Sequence, residues 1–366
     1  MAKKIGIHPA PAVGADQIAL LERLCNATAV AGDEREVRSI VLEQVKPLAD
    51  EVHVDALGSV IAVRHARNTD HPLRVMLDAH MDEVGFLIAS DEENGLFRFV
   101  KIGGIDDRTL PGKMILVGKE HIPGVVGAKA IHLTEPGELD TKIPVDALRI
   151  DIGPGGGKVK IGDRATFATR FKETGPSFIA KALDNRLGCA TLIEILRAAA
   201  QGGLDHLELL VSFSVQEEIG GRGARVAAYA LEPELAIAVD STPANDLPVY
   251  DDSENAVYNT RVGFGPAIYI ADSSTLGDPR LARHLMRTAE EMEIPFQIRQ
   301  PGGGGTDAGA IHKVREGIPS ISVSVPGRYL HTAASVCRRA DWEHTTELLW
   351  HALVKMDRSI LSGERA

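Results

Sequence analysis

The chain has only three cysteines, Cys25, Cys189 and Cys337, far apart and without Cys-x-x-Cys spacing. That pattern excludes a disulfide framework and a thiolate zinc site, and leaves each cysteine to act as a small core hydrophobe. No apolar run approaches the roughly 18 residues needed to cross a membrane. Met1-Ala2-Lys3-Lys4 could open a signal peptide, but residues 5–14 include His8, Pro9 and Pro11 and form no continuous apolar core. Basic residues are also scarce, 40 against 51 acidic ones, for a net charge of -11. Nucleic acid would call for a basic patch or stripe, so it is not an expected partner. Anionic small substrates stay open, because the charge of a site need not follow the total. Internal repeats and low-complexity tracts are absent too. The expectation is a cytoplasmic protein with no membrane and no nucleic-acid partner.

What is present is an ordinary globular composition, 366 residues with 44% hydrophobic and 25% charged, long enough for about two domains. Residues 1–15 contain two prolines, Pro9 and Pro11, and read as a loosely ordered extension. Helical spacing of Ile18, Leu21, Leu24 and Cys25 predicts one helix from Asp16. Val37, Ile40, Val41 and Val45 predict a second from Asp33, stopped by Pro47. Strands follow at 51–55 and 59–63, around the Leu57-Gly58 turn. From Phe86 to about Phe171 the texture changes to short β pieces (86–89, 96–100, 114–117, 125–128, 165–168) split by Gly and Pro, with no long helical pattern. This is the signature of an all-β insertion, a small barrel or sandwich. Gly153-Pro154-Gly155-Gly156-Gly157 within it reads as a turn, since no helix opens after it to complete a phosphate cradle.

Strand and helix then alternate: helix 185–200, strand 206–215, helix 223–230, strand 235–239, strand 267–270, helix 279–292, strand 296–299, the glycine run 302–305, a helix from Asp307, strand 320–325 and a closing helix 341–360. Such alternation on both sides of a β-rich block predicts one discontinuous α/β domain carrying an inserted β domain. The division falls at 16–85 and 172–366 for the α/β part and 86–171 for the insert.

Chemistry collects at the ends of these elements. Leu77-Asp78-Ala79-His80-Met81-Asp82-Glu83-Val84-Gly85 continues the apolar strand 74–77 into one histidine and a set of carboxylates. Alternate strand residues share a face, so His80 and Asp82 should point the same way. A metal-binding imidazole commonly has its second nitrogen held by a carboxylate, and His-x-Asp supplies both parts. Asp184 stands just ahead of a helix, as an N-cap or as a carboxylate able to bridge two cations. Glu217 and Glu218 follow a strongly apolar strand. They are either a solvated pair or, at the carboxyl edge of an open sheet, one metal ligand and one group facing the attacking water on opposite strand faces. Asp240 after 236–239 could begin a turn with Ser241-Thr242-Pro243, and His331 after strand 320–325 could be structural. Two imidazoles and three carboxylates nevertheless suit a pair of divalent cations sharing one carboxylate, with Zn²⁺, Co²⁺ or Mn²⁺ acceptable. His65, His71 and His312 lack such neighbours and read as structural.

Together Ala79-His80-Met81-Asp82-Glu83-Val84-Gly85, Ala182-Leu183-Asp184-Asn185-Arg186, Val215-Gln216-Glu217-Glu218-Ile219-Gly220, Gly305-Thr306-Asp307-Ala308 and Arg328-Tyr329-Leu330-His331 resemble the M42 family of metallo-aminopeptidases, in the family's order and over residues 17–360. The resemblance implies a zinc-peptidase-like α/β sandwich with an inserted barrel-like domain for dimerisation, and dimers assembling into hollow tetrahedral dodecamers that admit short peptides. It also implies two metal ions, one held by His80, Asp184 and Asp240, the other by Asp184, Glu218 and His331. Asp82 would orient His80, and Glu217 would be the general base. The chain departs from the family at Thr332-Ala333-Ala334, where many relatives have Ser-Pro, and at Gly221, where a larger apolar residue is frequent. Both changes bear on pocket shape and leave the ligands intact. Rival readings are a di-metal carboxypeptidase or deacylase, and a non-catalytic binding or shell protein.

Overall fold

Long apolar strands with little polar alternation need cover on both faces, and the central sheet has it. The structure is a computed structural model describing residues 9–250, 253, 255–300 and 302–364. In chain order, β1 (Glu51–Val54), β2 (Val60–Arg64) and β3 (Leu73–His80) come first. Next are β4 (Gly85–Asp91), β5 (Leu96–Ile102), β6 (Met114–Val117), β7 (Ile122–Gly127), β8 (Arg149–Asp151) and β9 (Arg164–Phe167). Then come β10 (Lys172–Thr174), β11 (Ser177–Ala180), β12 (Leu207–Ser214), β13 (Leu235–Pro243), β14 (Ala267–Ile268), β15 (Gln297–Ile298), β16 (Ser320–Arg328) and β17 (Ser335–Arg338). The large sheet runs β1-β2-β12-β3-β13-β16-β17-β11-β10, with β14 and β15 attached beside β16. Its centre, β12, β3, β13 and β16, is parallel.

The two-residue period of these strands decides where the site can form. Val75, Leu77 and Ala79 of β3 join Leu209, Val211 and Phe213 of β12, Ile237 and Val239 of β13, and Ile321, Val323 and Val325 of β16 in the main core. That core is covered by the helices Ala15–Asn26, Arg35–Val45, Leu183–Ala200, Pro279–Glu291 and Arg339–Lys355. The intervening residues face the other side. Met76, Leu210 and Ala236 pack there against Ala224, Ala227, Leu231 and Ile311, from the helices Arg222–Leu231 and Ala308–Ile311. Toward the carboxyl ends that second face turns polar: Ser212 pairs with Asp78, Ser214 with His80, and Asp240 with Ser324 in register. One face of the parallel sheet is therefore apolar throughout, and the other presents polar groups at its carboxyl edge, where ligands bind in open α/β folds.

The insert closes into a six-stranded barrel, β4-β5-β8-β7-β6-β9. Its interior is apolar, with Phe86 edge-on to Phe99 and Phe167 at ring separations of 5.1 and 5.4 Å. The α/β class and the barrel-like insert agree with the sequence. Several details differ. Residues 1–8 of the expected extension lie outside the described residues, and the part from 9 to 14 is not loose: Val13 is buried and its carbonyl accepts from Arg339 Nη2 at 2.6 Å. β13 runs on through Asp240 to Pro243 because β16 pairs with it that far, so Asp240 lies inside a strand and opens no turn. The short β8, β10, β11 and β17 carry too few residues to show a period and become strands only through their partners.

Candidate metal centre

His80 closes β3 and is almost fully buried. Its Nδ1 lies 3.2 Å from the Asp82 carbonyl and 3.5 Å from the Asp82 carboxylate. A carbonyl oxygen only accepts, so Nδ1 bears the hydrogen and the Nε2 lone pair points forward. Forward lie Asp184 Oδ1 at 3.3 Å and Asp240 Oδ1 at 3.4 Å. His331 repeats the arrangement from the opposite side. Its Nδ1 donates to the Gly104 carbonyl at 2.9 Å, and its Nε2 faces Asp184 Oδ2 at 3.3 Å and Glu218 Oε2 at 3.4 Å.

Those distances separate two explanations. Charge-assisted bonds between imidazolium and carboxylate run about 2.7–2.9 Å, shorter than all four. Ligand atoms about 2.0–2.1 Å from a tetrahedral Zn²⁺ stand roughly 3.3–3.4 Å from one another. Asp184 Oδ1 is buried without any hydrogen-bond donor, an expensive state for a carboxylate oxygen. His80, Asp184 and Asp240 form one group whose ligand atoms lie within 4.8 Å, and Asp184, Glu218 and His331 form a second. The residues present fit divalent cations: a nitrogen and carboxylate donor set, fixed tautomers, and an orphaned oxygen between them.

Local structure frees these side chains for that use. The capping role considered for Asp184 falls to Asn185, whose Oδ1 accepts from Gly188 N at 3.0 Å while its Nδ2 donates to the Val239 carbonyl at 2.8 Å. Glu217 and Glu218 lie beyond the end of β12 in a turn where Gln216 has φ 60°, so this turn, rather than strand alternation, parts their side chains. The Asp82 carboxylate anchors that turn, accepting from Glu217 N at 3.0 Å and Glu218 N at 3.1 Å. Asp82 thus touches His80 through both its carbonyl and its side chain, and the carboxylate's nearer contacts are the two glutamate amides. Arg186, wholly buried, donates to the carbonyls of Met81 and Asp82, fixing the chain just after His80.

The electrostatics are those of acids crowded out of water. Burial, then the neighbouring Asp240, Glu218 and Asp82, hold Glu217 well above the usual carboxylate range despite His80. Burial likewise lifts Glu218 to about 8 and Asp240 to about 6. Asp184 goes the other way: although buried, it is held low by His331 and His80. Burial lowers both histidines, but the carboxylates around them prevail and raise His80 well above its ordinary value and His331 to about 10. Such a cluster binds protons when no cation neutralises it.

All seven residues singled out from sequence, His80, Asp82, Asp184, Glu217, Glu218, Asp240 and His331, meet here. His65, His71 and His312 stand elsewhere, outside the lining of the cavity. Three features were assigned no role from sequence, although Asp78 and Asp307 stand within the motifs quoted above. Gly104, in the inserted block, holds His331 through its carbonyl. Asp78 and Asp307 lie buried behind the site, both bonded by Ser214 Oγ at 2.9 Å; the alternating serines of Ser320-Ile321-Ser322-Val323-Ser324 were the signal that one sheet face is polar. Arg299 lines the open side with no motif around it. A cavity of about 1000 Å³ opens from Glu217, His80 and His331 toward Tyr269, Arg299 and the 303–305 glycines. Gly221 lines it as well; a Cβ there would meet Ala310 at 2.8 Å.

Comparison with known proteins supplies the lineage. The family model of M42 glutamyl aminopeptidase matches residues 58–348. The lysyl aminopeptidase of Pyrococcus furiosus is 32% identical over 341 residues, covering 90% of this chain and 94% of that one. The glutamyl aminopeptidase of Lactococcus lactis is 31% identical over 332 residues, covering 86% and 90%. The TET aminopeptidase of a marine-sediment Thaumarchaeota archaeon superposes with a TM-score of 0.88 at 31% identity, over 95% of this chain and 99% of that one. The Pyrococcus horikoshii TET1 peptidase, solved as assembling into a tetrahedron or a large octahedral shell, gives 0.80 at 30% identity, over 93% and 100%. With the fold, the clustered donors and these relatives in agreement, the chain belongs to the M42 family of aminopeptidases and is a peptide hydrolase.

Proposed function

We propose that this aminopeptidase is co-catalytic and di-metal, and removes N-terminal residues from short peptides. The observation behind this reading is the pair of histidine Nε2 lone pairs that each face two carboxylate oxygens at 3.3–3.4 Å, with Asp184 shared between them. His80, Asp184 and Asp240 would hold one divalent cation, and Asp184, Glu218 and His331 the other, with Zn²⁺ or Co²⁺ favoured and Mn²⁺ acceptable. The cations would supply Lewis acidity, acidifying water and polarising the substrate carbonyl. Glu217 lines the cavity beside the ligands and belongs to neither donor group, which suits a general base that takes a proton from the attacking water and passes it to the leaving amine. Asp82 holds the backbone of Glu217 and Glu218 and keeps His80 in its tautomer, which makes it a positioning residue. A substrate's free, neutral α-amine near the second cation would restrict hydrolysis to the first peptide bond.

The inserted barrel, with residues 86–171 as its domain and 16–85 and 172–366 as the catalytic one, would be the dimerisation element. Met114, Ile131, Leu133 and Ile161 in that block are exposed apolar side chains suited to a partner copy. Assembly into a tetrahedral dodecamer would follow the dodecamer and the tetrahedron named for two solved relatives. Three buried free thiols fit a reducing, cytoplasmic setting, and no helix among the described residues is long and apolar enough to cross a membrane.

The test is hydrolysis of Leu-, Glu- and Lys-p-nitroanilide before chelation, after it, and after Zn²⁺ or Co²⁺ is restored, with N-acetylated analogues alongside. The reading expects chelator-sensitive cleavage of free-amine substrates alone. Cleavage of the acetylated analogues would favour a deacylase or carboxypeptidase, and no cleavage under any metal would favour a non-catalytic shell protein.

A further inference from the structure

The two histidines of the metal centre are delivered by unlike backbones. His80 ends β3 with Ser214 of β12 in register beside it, and its side chain is 2% exposed. His331 lies in no strand: it sits in the connection 329–334 between β16 and β17, and its side chain is 40% exposed. That connection, Tyr329-Leu330-His331-Thr332-Ala333-Ala334, contains neither glycine, which enters left-handed backbone freely, nor proline, which would fix an angle. Two of its residues are left-handed all the same, Tyr329 with φ 60° and His331 with φ 58°. A bulky tyrosine is rarely found there, and such a conformation lasts only where its surroundings hold it.

Thr332 supplies the tie. Its Oγ1 stands 2.7 Å from the Tyr329 carbonyl, 3.2 Å from the Ala334 carbonyl and 3.3 Å from the Ala334 amide. A hydroxyl has one hydrogen and two lone pairs, so it donates to the nearer carbonyl, that of Tyr329, and accepts from the Ala334 amide. The backbone before His331 is thereby joined to the backbone after it. Leu330 packs over Gly327, where a Cβ would meet its Cδ2 at 2.8 Å. The imidazole itself is held from the inserted block by one bond, Nδ1 to the Gly104 carbonyl. Turn and carbonyl together leave Nε2 facing Asp184 and Glu218. The partners of the Thr332 hydroxyl lie inside the turn, and none belongs to the group His80, Asp184 and Asp240.

We propose that Thr332 is a positioning residue for one cation of the pair: its hydroxyl holds the left-handed turn that aims His331 Nε2, and so sets the affinity of the group Asp184, Glu218 and His331. The group His80, Asp184 and Asp240 does not depend on it. This inference rests on the two-cation reading above and assigns to one hydroxyl a selective control over one of the two sites. Groups that orient a metal ligand commonly govern affinity as strongly as this requires.

The experiment titrates the metal-free full chain with Co²⁺ against a chromophoric chelator, following the visible absorption of the bound ion. The wild type should take up two equivalents. Thr332→Val, which keeps the shape of threonine without its hydroxyl, should bind one equivalent as the wild type does and the other about 10–100-fold more weakly. Thr332→Ser, which keeps the hydroxyl, should retain both. His331→Ala should hold a single cation, and adding Thr332→Val to it should change that affinity less than about threefold, because the side chain the hydroxyl serves is gone. A merely structural threonine would weaken the remaining cation as well. Unchanged binding of both equivalents in Thr332→Val, equal weakening of both, loss of one in Thr332→Ser, or a further drop in the His331→Ala background would overturn the positioning role while leaving the two-cation reading intact. A wild type that binds one equivalent or none would remove that reading itself. Should Thr332→Val not fold, judged by its thermal melt, Thr332→Ala, which removes the same hydroxyl without a branch, decides by the same titration.

Discussion

Glu83 and Asp184 are both buried carboxylates near the end of β3, and they are treated in opposite ways. Glu83 receives Lys181 Nζ on both oxygens at 2.8 and 2.9 Å, Arg186 Nη2 at 3.2 Å, the Ala29 amide at 2.9 Å and the Thr166 hydroxyl at 2.9 Å. Those partners come from three separate stretches, including the barrel strand β9, so Glu83 ties the insert to the α/β sheet. Asp184 instead meets two imidazoles at distances too long for a strong hydrogen bond and leaves one oxygen without a donor. Satisfied burial marks a structural cluster and unsatisfied burial marks a ligand site, even where the two are built from the same residue types.

Four substitutions put that contrast at risk, the first having the largest expected effect. Glu217→Gln removes the proposed general base while leaving every proposed ligand in place; kcat should fall about 10²–10⁴-fold with metal content, measured by atomic absorption, unchanged. Near-normal turnover would break the assignment of Glu217. On the structural side, Glu83→Gln strands Lys181 and Arg186, and urea unfolding should show a loss of about 3–5 kcal/mol with the folded fraction still holding metal. The pH dependence follows with its sign. Burial raises the Glu83 pKa, but Lys181 and Arg186 prevail and hold it below its unfolded value. Its contribution is therefore complete above that unfolded value and disappears as pH falls through the folded one. Asp82→Asn weakens the anchor of the glutamate turn and should lower metal affinity or activity about 10–100-fold, read in a competition titration with a chromophoric chelator. The smallest effect belongs to Glu218→Gln in metal-free protein. Burial lifts the Glu218 pKa to about 8, so near pH 7 this carboxyl destabilises the fold by holding a proton it would release when unfolded, and Gln in its place should leave the thermal midpoint unchanged or raise it. A marked drop would mean that Glu218, like Glu83, is structural. With metal present the same variant should lose the second cation.

Much of this was legible before any coordinates. His80, Asp184, Glu217, Glu218, Asp240 and His331 stand beside long apolar strands or at a helix start, and runs such as Leu209-Leu210-Val211 announce a sheet covered on both faces. The barrel was visible as an absence of helical period between Phe86 and Phe171. What the sequence concealed depended on partners distant in the chain. Gly104 acts through a carbonyl that every residue type possesses, so nothing in its identity pointed to His331. Val336 of β17 becomes strand only because Ile179 and Arg328 lie alongside it. Arg299 resembles any surface arginine until its burial and its missing carboxylate are seen. The turn at Gln216, with its positive φ, was equally hidden, because nothing local distinguishes that glutamine from one that continues a strand.

The claim beneath all of this is that Asp184 stands between two cations, and anomalous diffraction at the zinc edge from Zn²⁺-loaded crystals tests it most directly. The account predicts two peaks about 3.5–4 Å apart, one among His80, Asp184 and Asp240 and the other among Asp184, Glu218 and His331. A single peak, or a pair that leaves Asp184 without a cation on either side, would contradict it.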